Sequence, residues 1–410
     1  MKKYRMLGIT SGIGSMMAPA RFDDDLKEKI EIVGNQEWRK YYNCGIFETN
    51  FDPPYWPDWG DVPAEAKENI DIVMSHPECG NYSVLNNDIT KRDNETDIGP
   101  FVEKVSEVRP KFFLMDDLYR SLGPYPSKWY AEKLPDYDLF FEPISNYHYG
   151  NIQKHRKRFF IVGALKELEF TFVPGEKHDH MESVMDLIGD LPAGDAPWLD
   201  HWHVKGSAEA KSWKPQKEGD DRLYITWDEL AERFRDSPPG KNLKYINKKG
   251  EEKVRIGYVR LYGNAHSHVL YGGGAQGYPG AFHPVSGYPL TVRERARIQG
   301  FPDEFRFPID QDLPAHEQLH IGTKATGKAM PLQFCRYVTH RFIDHLEGKV
   351  GSDDATGMRF YGNIPELITQ EKEKYCAEFG YSNQAAACNR CWHEKCPIRH
   401  KVLYEDLLEF

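Results

Sequence analysis

Hydrophobic and polar positions alternate in two rhythms along the first 165 residues. Short apolar runs at Arg5 to Thr10, Glu31 to Gly34, Asp71 to Ser75, Lys111 to Met115 and Phe159 to Val162 predict strands, and stretches of helical spacing fit between them. Pro100 to Val108 is one such helix, with the proline in its first turn. The alternation predicts a parallel, doubly wound α/β sheet. From about residue 166 to 285 the rhythm is lost. The chain there is polar and rich in Trp, Lys and Gly, which predicts an inserted, less regular domain. Helical patterning returns over about 286–347. Its centre, Pro289 to Phe305, reads PLTVRERARIQGFPDEF, an amphipathic helix with Val292, Ala296 and Ile298 on or near one face, ended by Gly300 and Pro302. A linker at Gly348 to Gly357 leads to a small C-terminal module, residues 358–410.

A chain of 410 residues has room for two or three domains, and 40% hydrophobic residues with 13% aromatics support real cores. No apolar run approaches the roughly 18 residues of a membrane span. The start, MKKYRMLGITSG, is too short in its apolar part and too glycine-broken for a signal peptide, so a cytoplasmic protein is expected. The net charge of −10 argues against a nucleic-acid partner on global grounds, but DNA contacts are local. Lys154-His155-Arg156-Lys157-Arg158 and the segment Lys241 to Lys253 are basic patches, either solvated faces or DNA contacts.

Seven cysteines are unevenly placed. Cys44, Cys79 and Cys335 are scattered, whereas Cys376, Cys388, Cys391 and Cys396 crowd the end as C-x11-C-x2-C-x4-C. In a cytoplasmic chain such a cluster points to metal rather than disulfides. Four thiolates with one CxxC suit a structural zinc, with His393 and His400 as alternatives for one ligand. An iron–sulfur cluster is the other group they suit. Arg390, Lys395, Arg399, His400 and Lys401 in the same module are candidates to touch DNA or a partner.

Chemistry gathers at the strand ends. After the first strand comes Thr10-Ser11-Gly12-Ile13-Gly14-Ser15, where glycines at a strand-to-helix turn let a ligand approach the backbone. The second strand ends in Ile32-Val33-Gly34-Asn35-Gln36-Glu37-Trp38. A carboxylate there suits ribose hydroxyls, and the indole suits an adenine face. Asp61 offers a further carboxylate. Asp71 to Ser75 turns sharply into His76-Pro77-Glu78-Cys79-Gly80-Asn81-Tyr82-Ser83, presenting a cysteine beside a carboxylate that should raise its thiol pKa. Phe113-Leu114-Met115 runs into Asp116-Asp117-Leu118. In Tyr149 to Gly163, strand alternation sets Arg156 and Arg158 on one face, where they suit a phosphate or a base oxygen.

These blocks, in this order over about residues 4 to 345, resemble the DNA cytosine-5 methyltransferases. The resemblance implies a Rossmann-like methyltransferase sheet with an inserted target-recognition domain over 166–285. It implies an S-adenosylmethionine site at Ser11, Gly12, Ile13, Gly14, Glu37, Trp38 and Asp61, and double-stranded DNA as substrate. Cys79 stands at the family's nucleophile in a Pro-Cys-Gln-x-Phe-Ser loop, and Asp116 at the glutamate of Glu-Asn-Val that polarises the base. Arg156 and Arg158 stand in the Gln-x-Arg-x-Arg block that positions it, with Gln153 one residue further away than in the family. There are departures. Glu78 and Gly80 replace proline and glutamine, and Asp116 is shorter than glutamate by roughly 1.5 Å, a misplacement that can cost about 100-fold in rate. Where the family has Gly-Asn-Ala-Val-Pro, Thr323 and Lys324 replace Asn and its neighbour. Lys324 is a solvated side chain or a partner for an anionic group on an unusual donor. The expected activity is methyl transfer to cytosine C5 by a monomer, in restriction-modification or phage DNA modification. The alternatives are a carboxylated sulfonium donor or modified pyrimidine, and an inactive DNA-binding relative.

Overall fold

The computed structural model describes residues 3–38, 45–78, 97–118, 121, 125–153, 156–172, 182–203, 227–246, 250–270, 272, 280–310, 312–313 and 315–349. The architecture is mixed α/β. The chain divides into two compact units, one drawn from Met1–Lys67, Asn146–Arg156 and Gly175–Ile343, the other from Glu68–Ser145, Lys157–Pro174 and Asp344–Phe410. A seven-stranded sheet has three strands in the first unit and four in the second.

In the first unit, β1 (Tyr4–Ile9), β2 (Ile30–Gln36) and β3 (Tyr55–Trp56) run parallel in the order β3-β2-β1. The last four residues of β1 are buried, as expected of a strand covered on both faces. The short helix Asp24–Lys27 starts where the Asp23 side chain accepts from the N–H groups of Asp25 and Leu26. A separate three-stranded sheet, order β10-β9-β8, is built from β8 (Asn242–Ile246), β9 (Glu252–Arg260) and β10 (Ala281–Phe282).

The amphipathic segment is the helix Val292–Gln299. Thr291 and Glu294 close a reciprocal capping box at its start, and Gly300 at φ 88° ends it in the left-handed conformation that a side chain resists. Its inner face joins a cluster of Ile152, Val184, Ile188, Leu261, Leu270, Ala281, Leu290 and Ile298. The tail after it packs Phe301, Phe305 and Phe307 together, with Phe51 and Phe22 against Phe305. Asp200 ties this tail down, accepting from buried Arg293 at 3.2 Å and from Arg306 at 2.8 Å.

The second unit orders its strands β4-β5-β7-β6: β4 (Ile72–Ser75), β5 (Phe112–Asp117), β6 (Tyr137–Ser145) and β7 (Lys157–Leu165). The helix Ile98–Val108 buries Ile98, Phe101, Val102, Val105 and Val108, and sets Phe101 edge-on to Phe113 of β5. Gly163 lies opposite Phe113, whose ring fills the space a side chain there would need. The parallel expectation holds for β4 and β5 but not for β7, which runs antiparallel to both β5 and β6. The reason is the connection: β6 returns into its neighbour β7 as a hairpin, which reverses direction. Among the described residues no helix is long and apolar enough to cross a membrane.

Candidate active site

In the first unit, the turn after β1 is fixed by its own polar groups. The Thr10 N–H donates to Gln36 at 2.6 Å, Ser11 Oγ donates to Asn35 Oδ1 at 2.9 Å, and Asn35 Nδ2 donates to the Gly12 carbonyl at 3.1 Å. Glu37, fully buried at the end of β2, accepts from the Gly12 N–H at 2.8 Å. The carboxylate and the glycine turn named from sequence are therefore one assembly. Gly12 and Gly14 both have positive φ, 62° and 79°. Among the described residues no atom lies within 4 Å of where a Cβ on Gly12 would stand, whereas a Cβ on Gly14 would meet Phe47 and Phe51. Gly14 is thus needed for packing and Gly12 leaves room for a ligand. This open, backbone-lined turn with an acid beside it fits a nucleoside cofactor. Ile13 is buried, Trp38 is half exposed and Asp61 is exposed in a short 3-10 turn, Trp59–Asp61. Lys324 is half-buried on the helix Ala315–Lys328. Past the end of that helix, the Met330 N–H donates to Ser15 Oγ at 3.1 Å, so the segment closes on the glycine turn.

Arg156 and Arg158 have different partners. Arg156 is buried and donates to the carbonyls of Leu270 at 3.1 Å, Gly327 at 3.1 Å and Ala329 at 2.5 Å. It caps the C-terminal end of the helix Ala315–Lys328, where carbonyls lack intrahelical donors. The nearby Gln153 and Gln299 amides bond at 2.7 Å, and Gln299 donates onward to the Thr326 carbonyl at 2.6 Å.

The second unit holds the other half of the chemistry. Ser75 pairs with Met115 in the parallel β4/β5 register, so the next residues, His76 and Asp116, meet where the strands end. His76 Nδ1 lies 2.6 Å from Asp116 Oδ2. Arg158, at the start of β7, forks onto the same carboxylate through Nε, at 2.9 and 3.1 Å, and through Nη2. Asp116 is fully buried. Burial alone would push its carboxyl up, but the Arg158 guanidinium and His76 outweigh that and hold it below the ordinary aspartate value. Asp117 has the opposite fate. Burial raises it to about 8 against the pull of the Leu118 N–H and Arg158. Glu142 on β6 is likewise pushed to about 8 by burial. The Glu78 N–H donates to Asp97 Oδ2 at 3.0 Å.

Cys79 lies outside the described residues, as do Cys376, Cys388, Cys391 and Cys396. Among the described residues no cluster of three or more His, Cys, Asp or Glu side chains is arranged to hold a metal. His76 is the residue that sequence reasoning passed over, since one histidine at a strand end carries no periodic signal. Its position at the carboxyl end of a parallel strand was the available pointer.

The family model described as C-5 cytosine-specific DNA methylase matches residues 4–343, and the chain belongs to that family. Its members are DNA cytosine-5 methyltransferases, so the chain is an enzyme of that class, with DNA as substrate and S-adenosylmethionine as the family's cofactor. The type II methyltransferase M.HaeII of Haemophilus aegyptius is 24% identical over 364 residues, covering 84% of this chain and 95% of that protein. M.XorII of Xanthomonas oryzae pv. oryzae is 23% identical over 366 residues, covering 82% of each. Among solved structures, the Entamoeba histolytica methyltransferase EhMeth has a TM-score of 0.54 at 13% identity, over 84% of this chain and 99% of its own. A DNA modification methyltransferase encoded within an E. coli prophage has a TM-score of 0.51 at 19% identity, over 80% and 98%. At these identities the structural likeness establishes the fold.

Proposed function

We propose that this enzyme methylates C5 of cytosine in double-stranded DNA through a covalent adduct between Cys79 and C6 of a flipped-out base. The observation that supports it most is the buried Asp116–Arg158 pair, formed by the two blocks that the family devotes to the base. Cytosine C5 is a poor nucleophile. Addition of the Cys79 thiolate at C6 moves an electron pair to C5, which then takes the methyl group from the sulfonium donor. Loss of the C5 proton to a base returns that electron pair, the ring double bond re-forms and the thiolate leaves. Reaching C6 requires extruding the base from the duplex. S-adenosylmethionine, when bound, supplies the electrophilic methyl. Ser11, Gly12, Ile13, Gly14, Glu37, Trp38 and Asp61 are proposed to hold it, with Glu37 and the Gly12 backbone acting together. Residues 1–165 and 286–347 form the catalytic part of this reading and 166–285 the target-recognition part.

Nucleoside mass spectrometry of DNA from expressing cells, beside a Cys79→Ala control, tests it. One added methyl on deoxycytidine that depends on Cys79 supports the proposal. A different Cys79-dependent mass replaces methyl with another donor group and gives Lys324 a role as its counter-ion. No Cys79-dependent mass, with no adduct to a 5-fluorocytosine duplex, overturns catalysis by this route. The C-terminal cysteines are proposed to hold zinc. About one zinc per chain, lost in Cys388→Ser, is the expected metal analysis, whereas iron with visible absorption identifies the cluster instead.

A further inference from the structure

We infer that His76, positioned by Asp116, is the group that meets the pyrimidine's N3 edge, in the place where the family's longer glutamate is expected to act. The inference rests on the covalent reading above. The Asp116 carboxylate is fully buried and spent on the protein: Oδ1 accepts from Arg158, and Oδ2 accepts from Arg158 and from His76 at 2.6 Å. A carboxylate one methylene short, fixed by four such contacts, is poorly placed to reach a base itself. His76 makes up the reach. It leaves the end of β4 three residues before Cys79, and its ring stands on Asp116.

The contact also sets the chemistry. A carboxylate against Nδ1 favours the proton there, which assigns the exchangeable role to Nε2. Arg158 Nη2 approaches the same Nδ1 only at 3.4 Å, too long to compete with the carboxylate. Arg158 and Asp116 offset one another's charge, and Asp117, the next residue of β5, is held neutral by burial up to about pH 8. When the Cys79 thiolate adds to C6, N3 gains basicity. The imidazolium Nε2–H passes its proton to N3 as the C6–S bond forms, and N3 returns it to Nε2 when that bond breaks. The proton balance closes within the pair. Asp116 is a positioning residue in this scheme, touching His76 rather than the base.

The test is single-turnover methylation of a duplex by His76→Gly and His76→Gln, with and without added imidazole, beside DNA affinity and adduct formation on 5-fluorocytosine. The expected result is a rate loss of about 100-fold or more in both variants. DNA affinity stays within about twofold. Imidazole restores part of the rate in the glycine variant, whose cavity admits it, and none in the glutamine variant, which fills the space with an amide that holds no transferable proton. A His76→Ala/Asp116→Glu double variant faster than His76→Ala alone would add the same support by putting the carboxylate within reach. Rates within about threefold of wild type in His76→Gln, or a loss in His76→Gly that imidazole leaves untouched while the fold is intact by thermal melting, overturn the inference. If the wild type forms no adduct with the fluorinated duplex, the covalent reading has failed first, and that outcome is distinct from either.

Discussion

Adjacent aspartates on β5 carry opposite charge states because a strand points successive side chains to opposite faces. Asp116 accepts from Arg158 and His76 and is held ionised; Asp117, buried with the Leu118 N–H as its donor, is pushed up to about 8. Glu142, two strands away, is also raised to about 8, by burial alone. This has a consequence for stability. The native state keeps the Glu142 proton to about pH 8, whereas the unfolded chain releases it near the ordinary 4.5. The native state therefore binds more protons between those values. Its stabilisation is fully present below about 4.5 and is lost as pH rises through the window toward 8. Glu142→Gln removes that slope. Urea denaturation should find it more stable than wild type at pH 8.5 by on the order of 2–4 kcal/mol relative to the difference at pH 5. Parallel pH dependence in the two proteins would show that Glu142 is ionised in the native state.

At the scale of elements, helix ends carry the arrangement. Arg156 was legible as part of an arginine pair, and its alternation with Arg158 suggested a shared ligand. The structure gives it three carbonyls near the end of the helix Ala315–Lys328. Arg156→Met should cost roughly 2–4 kcal/mol in a denaturant titration, because the carbonyls lose donors that a methionine cannot replace. At the other helix, Thr291 accepts from the Glu294 N–H and its hydroxyl lies 2.9 Å from His201 Nδ1. Thr291→Ala should cost about 1–2 kcal/mol, with Thr291→Ser recovering most of it in the same titration. The strands show what sequence carries and what it does not. β1, β2, β4, β5 and β7 were readable from their apolar runs. β6 was not, because Pro143 interrupts Tyr137–Ser145 and reads as a breaker; it sits in the last strand of its unit's order, where a missing N–H is tolerated. The direction of β7 has no signature in periodicity, since both directions alternate alike. At the site, Asp116 and Arg158 were legible from block spacing. The His76 contact was not, because it arises from strand register rather than from neighbours in sequence.

At the scale of the molecule, a net charge of −10 must be reconciled with DNA as substrate. Repulsion at long range is screened within about 8–10 Å at physiological salt, so binding depends on where cations are concentrated. In the first unit, Lys241 and Lys244 are exposed at the start of the β8–β9 hairpin, within the region proposed to recognise the target. Lys244 pairs with Glu252 at 2.9 Å, an exposed contact that phosphate can displace at little cost. If this hairpin meets the backbone, each lysine contributes through counterion release, and affinity must fall steeply with salt. Charge reversal at both, Lys241→Glu with Lys244→Glu, should lower duplex affinity by about 10-fold or more near 100 mM salt. It should also reduce the slope of log affinity against log salt by about 2. Reversal at Lys128 and Lys133 together, both exposed in the second unit, carries the same change in net charge and serves as the control. Equal losses from both changes would mean that total charge governs binding and that the hairpin has no special place in it. A loss confined to the hairpin variant, with the reduced slope, would put the DNA backbone on β8 and β9.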